Sequence, residues 1–373
     1  MCGRTELHTC IGKGRLDDLK GLAASFGFKL KPLVTEQTIS FEYFHGLSAP
    51  VVRPLTPVSN TRPTIEVKGK AILRYGMIEA DAVVRGARVV YDPQSVFDPE
   101  VFAANGSTAE KLAVVLNMSE GRKLTNRLRP ESVSTAVLTL FGADVVVLKQ
   151  GAAGALVITR GGRSQMVPAY ETSSVFPIGS GDVFSAAFAA KWAVKKEDAV
   201  AAARYASLAA AYYCSTKTLP LPKAFNSASR HNLNLRPIKQ RWRAKRRLVY
   251  LAGPFFNVGQ RWLIEEAKGA LESQGLQVFS PFHDVGMGHA EHVVPEDLKG
   301  IQRAHVMYAV IDGLDPGTLF EIGYARARGI PVIAFTEQEE GESLKLLQGS
   351  GCKIEKDFTT SIYRTSWLAN AIS

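Results

Sequence analysis

Three carboxylates stand close together in the stretch 311–325, IDGLDPGTLFEIGYA. Asp312 and Asp315 lie in a Gly/Pro-rich turn, and Glu321 follows six residues after Asp315, just inside a predicted helix. The run 330–335, IPVIAF, has a buried-strand pattern. Strand, acidic loop, helix, strand is the plan of an α/β active site, where ligands sit at the carboxyl ends of the strands. A glutamate there can be a nucleophile. It can equally be a cap, because Thr318-x-x-Glu321 is also a capping-box pattern.

A second constellation is 177–184, PIGSGDVF. Gly179, Ser180 and Gly181 immediately precede a predicted helix. Small residues there let backbone N–H groups turn toward one point, and the helix N-terminus adds positive potential, which suits a transferring phosphoryl group. Asp182 stands at the mouth of the same turn and can take the proton from an attacking hydroxyl. The plainer alternative is a common turn with an acidic first helical residue favoured by the dipole.

The elements around both clusters alternate strand and helix. Short apolar runs at 87–91, 112–116, 143–148 and 154–159 read as buried strands, and 183–194 and 196–211 as helices. Residues 220–247, rich in Pro, Asn, Ser and basic side chains, make the best boundary. A second alternation follows: strands at 247–252, 277–281, 305–311 and 330–335, helices at 260–274 and 295–303, and Gly275 placed to end a helix. This pattern predicts a parallel sheet in both halves.

The chain has 373 residues, enough for two domains. Its net charge of +10 includes the run 236–247, with seven Lys/Arg in twelve residues. That run reads as a solvated linker, and no zinc spacing or RNA-binding signature accompanies it to support a nucleic-acid partner. Four cysteines without a CxxC pair point to a reducing compartment. No signal peptide or spanning segment is recognisable, so a cytoplasmic protein without a membrane partner is expected.

The residues 177–184 resemble the signature of the PfkB (ribokinase-like) carbohydrate kinase family, with Ser180 where alanine is usual. Tyr91-Asp92-Pro93-Gln94 resembles its Asp-Pro-Asn segment. Asn117-Met118-Ser119-Glu120 resembles its Asn-x-x-Glu, and Val147–Gly151 with Gly154 its nucleotide-side Thr-x-Gly-x-x-Gly, with Lys149 in place of threonine. The resemblance covers about 11–220. It implies a three-layer α/β/α fold that uses ATP and Mg²⁺ to phosphorylate a sugar or nucleoside hydroxyl. Asp182 would be the base, Gly179, Ser180, Gly181, Asn117, Gly151 and Gly154 would hold the nucleotide, and Glu120 would help hold the metal. The family's first strand and its Gly-Gly-x-x-x-Asn sugar motif do not precede residue 11. The half is therefore expected to be either degenerate at its acceptor site or N-terminally truncated, with that site in question. Residues 37–52 are the candidate remnant of the lid strands.

The second half opens YLAGPFF at 250–256 and continues through PFH at 281–283 and PEDLKGI at 295–301 to His305. With Asp315, Gly317-Thr318 and Glu321-Ile322-Gly323-Tyr324-Ala325, it resembles the nucleoside 2-deoxyribosyltransferase family over about 247–367. The implied fold is a smaller, doubly wound, flavodoxin-like parallel sheet. The implied chemistry is double displacement: Glu321 attacks the anomeric carbon and expels the base, and a second base or water resolves the glycosyl-enzyme. Tyr250 would orient Glu321, and Asp315 would contact base or sugar. Gly253, Pro254, Phe255, Asp312, Gly317 and Thr318 would line the substrate site, with no cofactor. His305 stands where the leaving base could be protonated; it can be that acid or a structural histidine.

The expected organisation is a kinase-like domain at 1–230, a basic linker at 231–246 and a transferase-like domain at 247–373. The implied partners are nucleosides or nucleotides, nucleobases, sugars and ATP, and the resemblance implies a homo-oligomer. An N-glycohydrolase with water as acceptor and a non-catalytic nucleotide sensor are the alternatives.

Overall fold

The computed structural model describes residues 5–54, 62–94, 99–222, 225, 233–238 and 247–372. Cys2, and residues 231–232 and 239–246 of the expected linker, lie outside the described residues. The chain divides into two compact units. One is built mainly from the first 235 residues. The other runs from Arg236 onward and also includes His45–Ser48 and Glu171–Pro177.

In the first unit, strands β1 (Glu6–Gly12) and β2 (Lys29–Thr35) pair in parallel around the helix Leu16–Phe26. Strands β3 (Ser40–Glu42) and β4 (Val51–Arg53) form a small antiparallel pair within the region read as lid strands. The main sheet has the order β10-β9-β8-β7-β6-β5, with β5 (Thr64–Tyr75), β6 (Asp81–Asp92), β7 (Thr108–Asn117), β8 (Val145–Lys149), β9 (Ala155–Thr159) and β10 (Ser164–Val167). Strands β5 to β8 run parallel, as expected, but β9 runs against them, pairing antiparallel with both β8 and β10. The reason is the short connection 150–154, which can close a hairpin but cannot hold the crossover that a parallel neighbour needs.

Both faces of this sheet are covered. Ala113, Val115, Val145 and Val147 pack toward the helices Ser180–Ala189 and Ala199–Thr216. The alternate residues Leu112, Val114, Val146 and Leu148 pack toward Val133 and Val137 of the helix Pro130–Leu140. Burial on two sides makes the strands read as continuous apolar runs. The result is the three-layer α/β/α fold.

Two-residue strands β11 (Tyr170–Glu171) and β12 (Arg236–Pro237) pair. The second unit holds a five-stranded sheet of order β14-β13-β15-β16-β17, from β13 (Leu248–Ala252), β14 (Gln277–Phe279), β15 (Val306–Val310), β16 (Val332–Phe335) and β17 (Lys353–Glu355). Every pairing is parallel. This is the doubly wound 2-1-3-4-5 order of flavodoxin-like folds, whose crevice opens where the chain leaves the first and third strands. Here those exits are Gly253–Phe256 and Ile311–Asp315. Val249, Leu251, Val306 and Tyr308 face the helices Val258–Ser273 and Phe358–Ala371. Tyr250, Ala252, Met307 and Ala309 face Ile301 and Ile322 on the helices Ala290–Arg303 and Pro316–Ala327. The segments contributed from earlier in the chain are bonded into this unit: His45 Nε2 lies 2.9 Å from Glu266 Oε2, and Val175 N–H donates to Thr360 Oγ1 at 3.0 Å. None of the described helices is long and apolar enough to cross a membrane.

Candidate active sites

In the second unit the acidic turn resolves into three carboxylates with three different jobs. Asp315 is the N-cap of the helix Pro316–Ala327; its Oδ2 accepts from Thr318 N at 2.7 Å and Thr318 Oγ1 at 2.9 Å. Pro316 takes the first helical position, where a missing N–H costs nothing. A Cβ on Gly317 would stand 3.1 Å from Asp315 Oδ2, so the glycine leaves that carboxylate its room. Thr318 is buried and serves the cap. The helix therefore starts two residues before Thr318, capped by Asp315, and the capping-box reading of Glu321 is corrected: Glu321 lies one turn further in and caps nothing.

Glu321 instead meets Tyr250, whose hydroxyl donates to Glu321 Oε1 at 2.5 Å. Burial pushes the Glu321 carboxyl up to about 7; the Tyr250 hydrogen bond opposes this, while Asp297 and Asp315 add to it. Tyr250 is wholly buried, and burial together with the Glu321 carboxylate keeps its phenol protonated. Among the described residues this neutral phenol is the hydrogen-bond donor to the Glu321 carboxylate, and it brings no positive charge.

Asp297, to which the sequence reading gave no role, belongs to this group. It projects from the helix Ala290–Arg303, acts electrostatically on both Glu321 and Tyr250, and has a buried Oδ1 without a hydrogen-bond partner. Burial, with Glu296 beside it, raises Asp297 to about 6. Its helix is seated by Gly300, where a Cβ would fall 2.3 Å from the Phe279 ring. Phe279 in turn stacks on Tyr250, 5.6 Å between centroids. One aromatic layer thus sets the position of both. The signal in the sequence was an aspartate one turn before a helical glycine in PEDLKGI.

The expectation for His305 is corrected, and Asp312 carries a structural duty. His305 precedes β15 at the amino-terminal edge of the sheet. Its Nδ1 accepts from Leu248 N at 3.1 Å, and its N–H donates to Leu248 O at 2.9 Å. It ties two strand starts together, at the opposite end from the acidic turn, and cannot be the acid. Asp312 ties two loops: it accepts from Thr336 Oγ1, Glu337 N and Gln338 N. Of the remaining predicted residues, a Cβ on Gly253 would lie 2.8 Å from Ile264 Cδ1 and 3.0 Å from Val310 Cβ, so strand and helix close only over a glycine. Pro254 is buried beside it, and the half-buried Phe255 stacks on Phe256 at 5.5 Å and tilts on Phe282 at 5.3 Å, forming an aromatic wall.

In the first unit the helix Ser180–Ala189 starts from Gly179, which has a left-handed φ of 80°. Asp182 lies in its first turn. The Gln94 side-chain amide donates to Asp182 Oδ1, and Tyr75 Oη donates to the Asp182 carbonyl at 2.9 Å. Burial raises the Asp182 carboxyl; Gln94 and Lys149 hold it down, and Asp92 pushes it further up. Lys149, at the end of β8, donates from Nζ to Asp92 Oδ2 at 2.8 Å, and Ser185 Oγ donates to the same oxygen at 2.6 Å. Burial alone would lower Lys149, but the Asp92 and Glu120 carboxylates outweigh it and hold the ammonium above its ordinary value.

Asn117 and Glu120 form a reciprocal capping box: Asn117 N donates to Glu120 Oε2 at 2.7 Å and Glu120 N to Asn117 Oδ1 at 2.9 Å. Glu120 thus has a structural duty where the resemblance implied metal binding. Among the described residues no group of three or more His, Cys, Asp or Glu side chains is placed to hold an ion. Gly151 has a φ of 54° in the hairpin turn, and a Cβ on Gly154 would lie 2.1 Å from Val167 O, so both glycines are required by the turn itself.

Comparison with known proteins agrees with this division. The pfkB family carbohydrate kinase model matches residues 95–222, and the nucleoside 2-deoxyribosyltransferase model matches residues 249–357. A 2-deoxyribosyltransferase from Bacillus psychrosaccharolyticus is similar at 31% identity, covering 30% of this chain and 87% of that one, with a TM-score of 0.27. Fructokinase from Vibrio cholerae O395, solved with fructose, ADP and calcium, is similar at 17% identity over 62% of this chain and 85% of its own, with a TM-score of 0.43. A PfkB protein from Polaromonas sp. JS666 aligns at 18% identity over 58% and 81%, with a TM-score of 0.39. No curated protein matches the chain. Two family models thus meet on one chain, that of the pfkB family carbohydrate kinases in its earlier part and that of the nucleoside 2-deoxyribosyltransferases in its later part.

Proposed function

We propose that the second unit transfers a (deoxy)ribosyl group between nucleobases by double displacement on Glu321. The observation that carries this reading is the 2.5 Å contact from Tyr250 Oη to a buried Glu321 held at about 7. In the first step a Glu321 carboxylate oxygen bonds to the anomeric carbon as the N-glycosidic bond breaks. The bonding pair leaves on the base nitrogen, which takes a proton from the Asp297 carboxyl group. In the second step a nitrogen of the incoming base attacks the same carbon, the ester bond to Glu321 breaks, and the displaced proton returns to Asp297. Tyr250 fixes the direction of attack, and the Phe255 wall offers a face to a planar base.

The first unit is read as a phosphoryl-transfer site. ATP would set its phosphates on the Gly179–Gly181 turn, and Asp182, made more basic by burial, would take the acceptor's proton. Magnesium on the nucleotide would neutralise phosphate charge. The acceptor is a sugar or nucleoside hydroxyl.

The test is incubation with a deoxynucleoside and a foreign base. The exchanged nucleoside supports transfer, free sugar alone supports a glycohydrolase, and no product alongside saturable ligand binding supports a sensor.

A further inference from the structure

Base exchange on Glu321 releases no free sugar. One N-glycosidic bond breaks and another forms, so what leaves the second unit is a nucleoside with its sugar hydroxyls untouched. The bond made resembles the bond broken, and the reaction alone has little downhill drive. The first unit can consume that product. Tyrosines gather around Asp182. Tyr75 Oη donates to the Asp182 carbonyl at 2.9 Å. Tyr213 Oη lies 3.0 Å from where a Cβ on Gly179 would stand. Tyr43 is 39% exposed, and the Asp182 charge acts on it as on Tyr213. Gln94 adds its amide to Asp182 Oδ1. A bare sugar, polar on every side, needs many fixed hydrogen-bond partners. Phenol rings instead present flat apolar faces and one polar tip, which suits a planar base beside the hydroxyl that Asp182 deprotonates.

Charge sets the order of the two reactions. The second site gathers carboxylates, with Asp297 and Asp315 both acting on Glu321. A substrate already carrying a phosphate would bring further negative charge to them, and such like-charge contacts are disfavoured. Exchange therefore precedes phosphorylation, and the charged product is kept from returning. Arg261, whose Nε donates to the Phe255 carbonyl at 3.0 Å, is a cation through which a phosphorylated substrate would enter instead.

We propose that the two units work in sequence: the nucleoside made by base exchange in the second is phosphorylated on a sugar hydroxyl in the first. This inference rests on both readings above. In the later reaction the hydroxyl oxygen bonds to the γ-phosphorus of ATP, the bond to the β–γ bridging oxygen breaks, ADP leaves and the proton passes to Asp182.

The test supplies the full-length chain with thymidine and 2′-deoxyinosine as donors and isotopically labelled adenine, cytosine and hypoxanthine as incoming bases, with and without magnesium ATP. Mass spectrometry follows the label. It should pass into a deoxynucleoside without ATP and into the monophosphate of that deoxynucleoside with it. The same deoxynucleoside, supplied preformed, should be phosphorylated with a kcat/KM about tenfold or more above that of free 2-deoxyribose. Tyr43→Leu should narrow that preference about fivefold, the lower range for a lost base-stacking face. Equal or better use of free 2-deoxyribose overturns the proposal and leaves both readings standing. Label that enters only from a donor supplied as its 5′-monophosphate overturns it as well, because the order is then reversed. Absence of exchange overturns the glycosyl-transfer reading, and absence of any phosphorylated product the phosphoryl-transfer reading; the proposal falls with either.

Discussion

The two candidate sites treat buried carboxylates in opposite ways. In the first unit, Asp92, Glu120 and Asp182 share an interior ammonium, Lys149, whose charge opposes the rise that burial imposes on Glu120 and Asp182. In the second, among the described residues, the groups that act on Glu321 and Asp297 are a neutral phenol and further carboxylates, and both are pushed toward neutrality. A resident cation prepares a site to meet more negative charge, such as a phosphate. Its absence leaves carboxyls that exchange protons near pH 6–7 and can serve as nucleophile and acid around a neutral glycoside.

The sharpest break between them is mutational. Glu321→Ala should reduce base exchange by roughly 10³-fold or more, as loss of a covalent nucleophile does, and leave ATP binding unchanged; a base-exchange assay beside an ATP titration checks both. Asp182→Asn should do the converse, lowering ATP-dependent phosphorylation by roughly 10²- to 10⁴-fold, the scale of a general base, with exchange intact. Loss of both activities in either variant would mean the sites are not independent.

Smaller effects sharpen the second site. The Glu321–Asp297 pair holds one proton between about pH 6 and about 7, so exchange should peak there. Tyr250→Phe should lower the rate about tenfold. The hydrogen bond it removes is one that holds Glu321 down, so the higher of the pair's two apparent values, and with it the alkaline limb of the pH–rate profile, should move to higher pH.

Stability follows with a definite sign. The folded Glu321 value of about 7 lies above the ordinary 4.5, so the folded state keeps a proton that the unfolded chain releases. The favourable contribution is complete below pH 4.5 and is lost as pH rises through about 7. Glu321→Gln should therefore raise the melting temperature by a few degrees at pH 8 and scarcely alter it at pH 4.5. Smallest of all, His305→Gln should change the exchange rate by less than about threefold, since its ring bonds Leu248 at the far edge of the sheet.

What could be read from the chain alone was local. The Gly179–Asp182 turn, the Gly253-Pro254 exit and the strand runs carry their own periodicity and turn chemistry, and they hold in three dimensions. What was not legible has physical reasons. Thr318-x-x-Glu321 and Asn117-x-x-Glu120 are both spaced as capping boxes, and only the helix starts separate them: Asn117 begins its helix, whereas Asp315-Pro316 begins the other. His305 drew notice for its place before a strand, although ligands gather at the other end of such strands. For Asp297 the one local mark is the helical glycine a turn later, which says nothing of chemistry; its role comes from burial beside Tyr250 and Glu321, residues 47 and 24 positions away. The insertion of His45–Ser48 and Glu171–Pro177 into the second unit is likewise a long-range fact, carried by contacts such as Val175–Thr360.

The central claim is that Glu321 becomes covalently glycosylated. Intact protein should be mixed with a deoxynucleoside, quenched in acid, digested and mapped by mass spectrometry. The account predicts one deoxyribosyl group on the peptide carrying Glu321, discharged when free base is added before the quench, and absent from Glu321→Ala. Exchange that continues in Glu321→Ala, or a sugar adduct on any other residue, would contradict it.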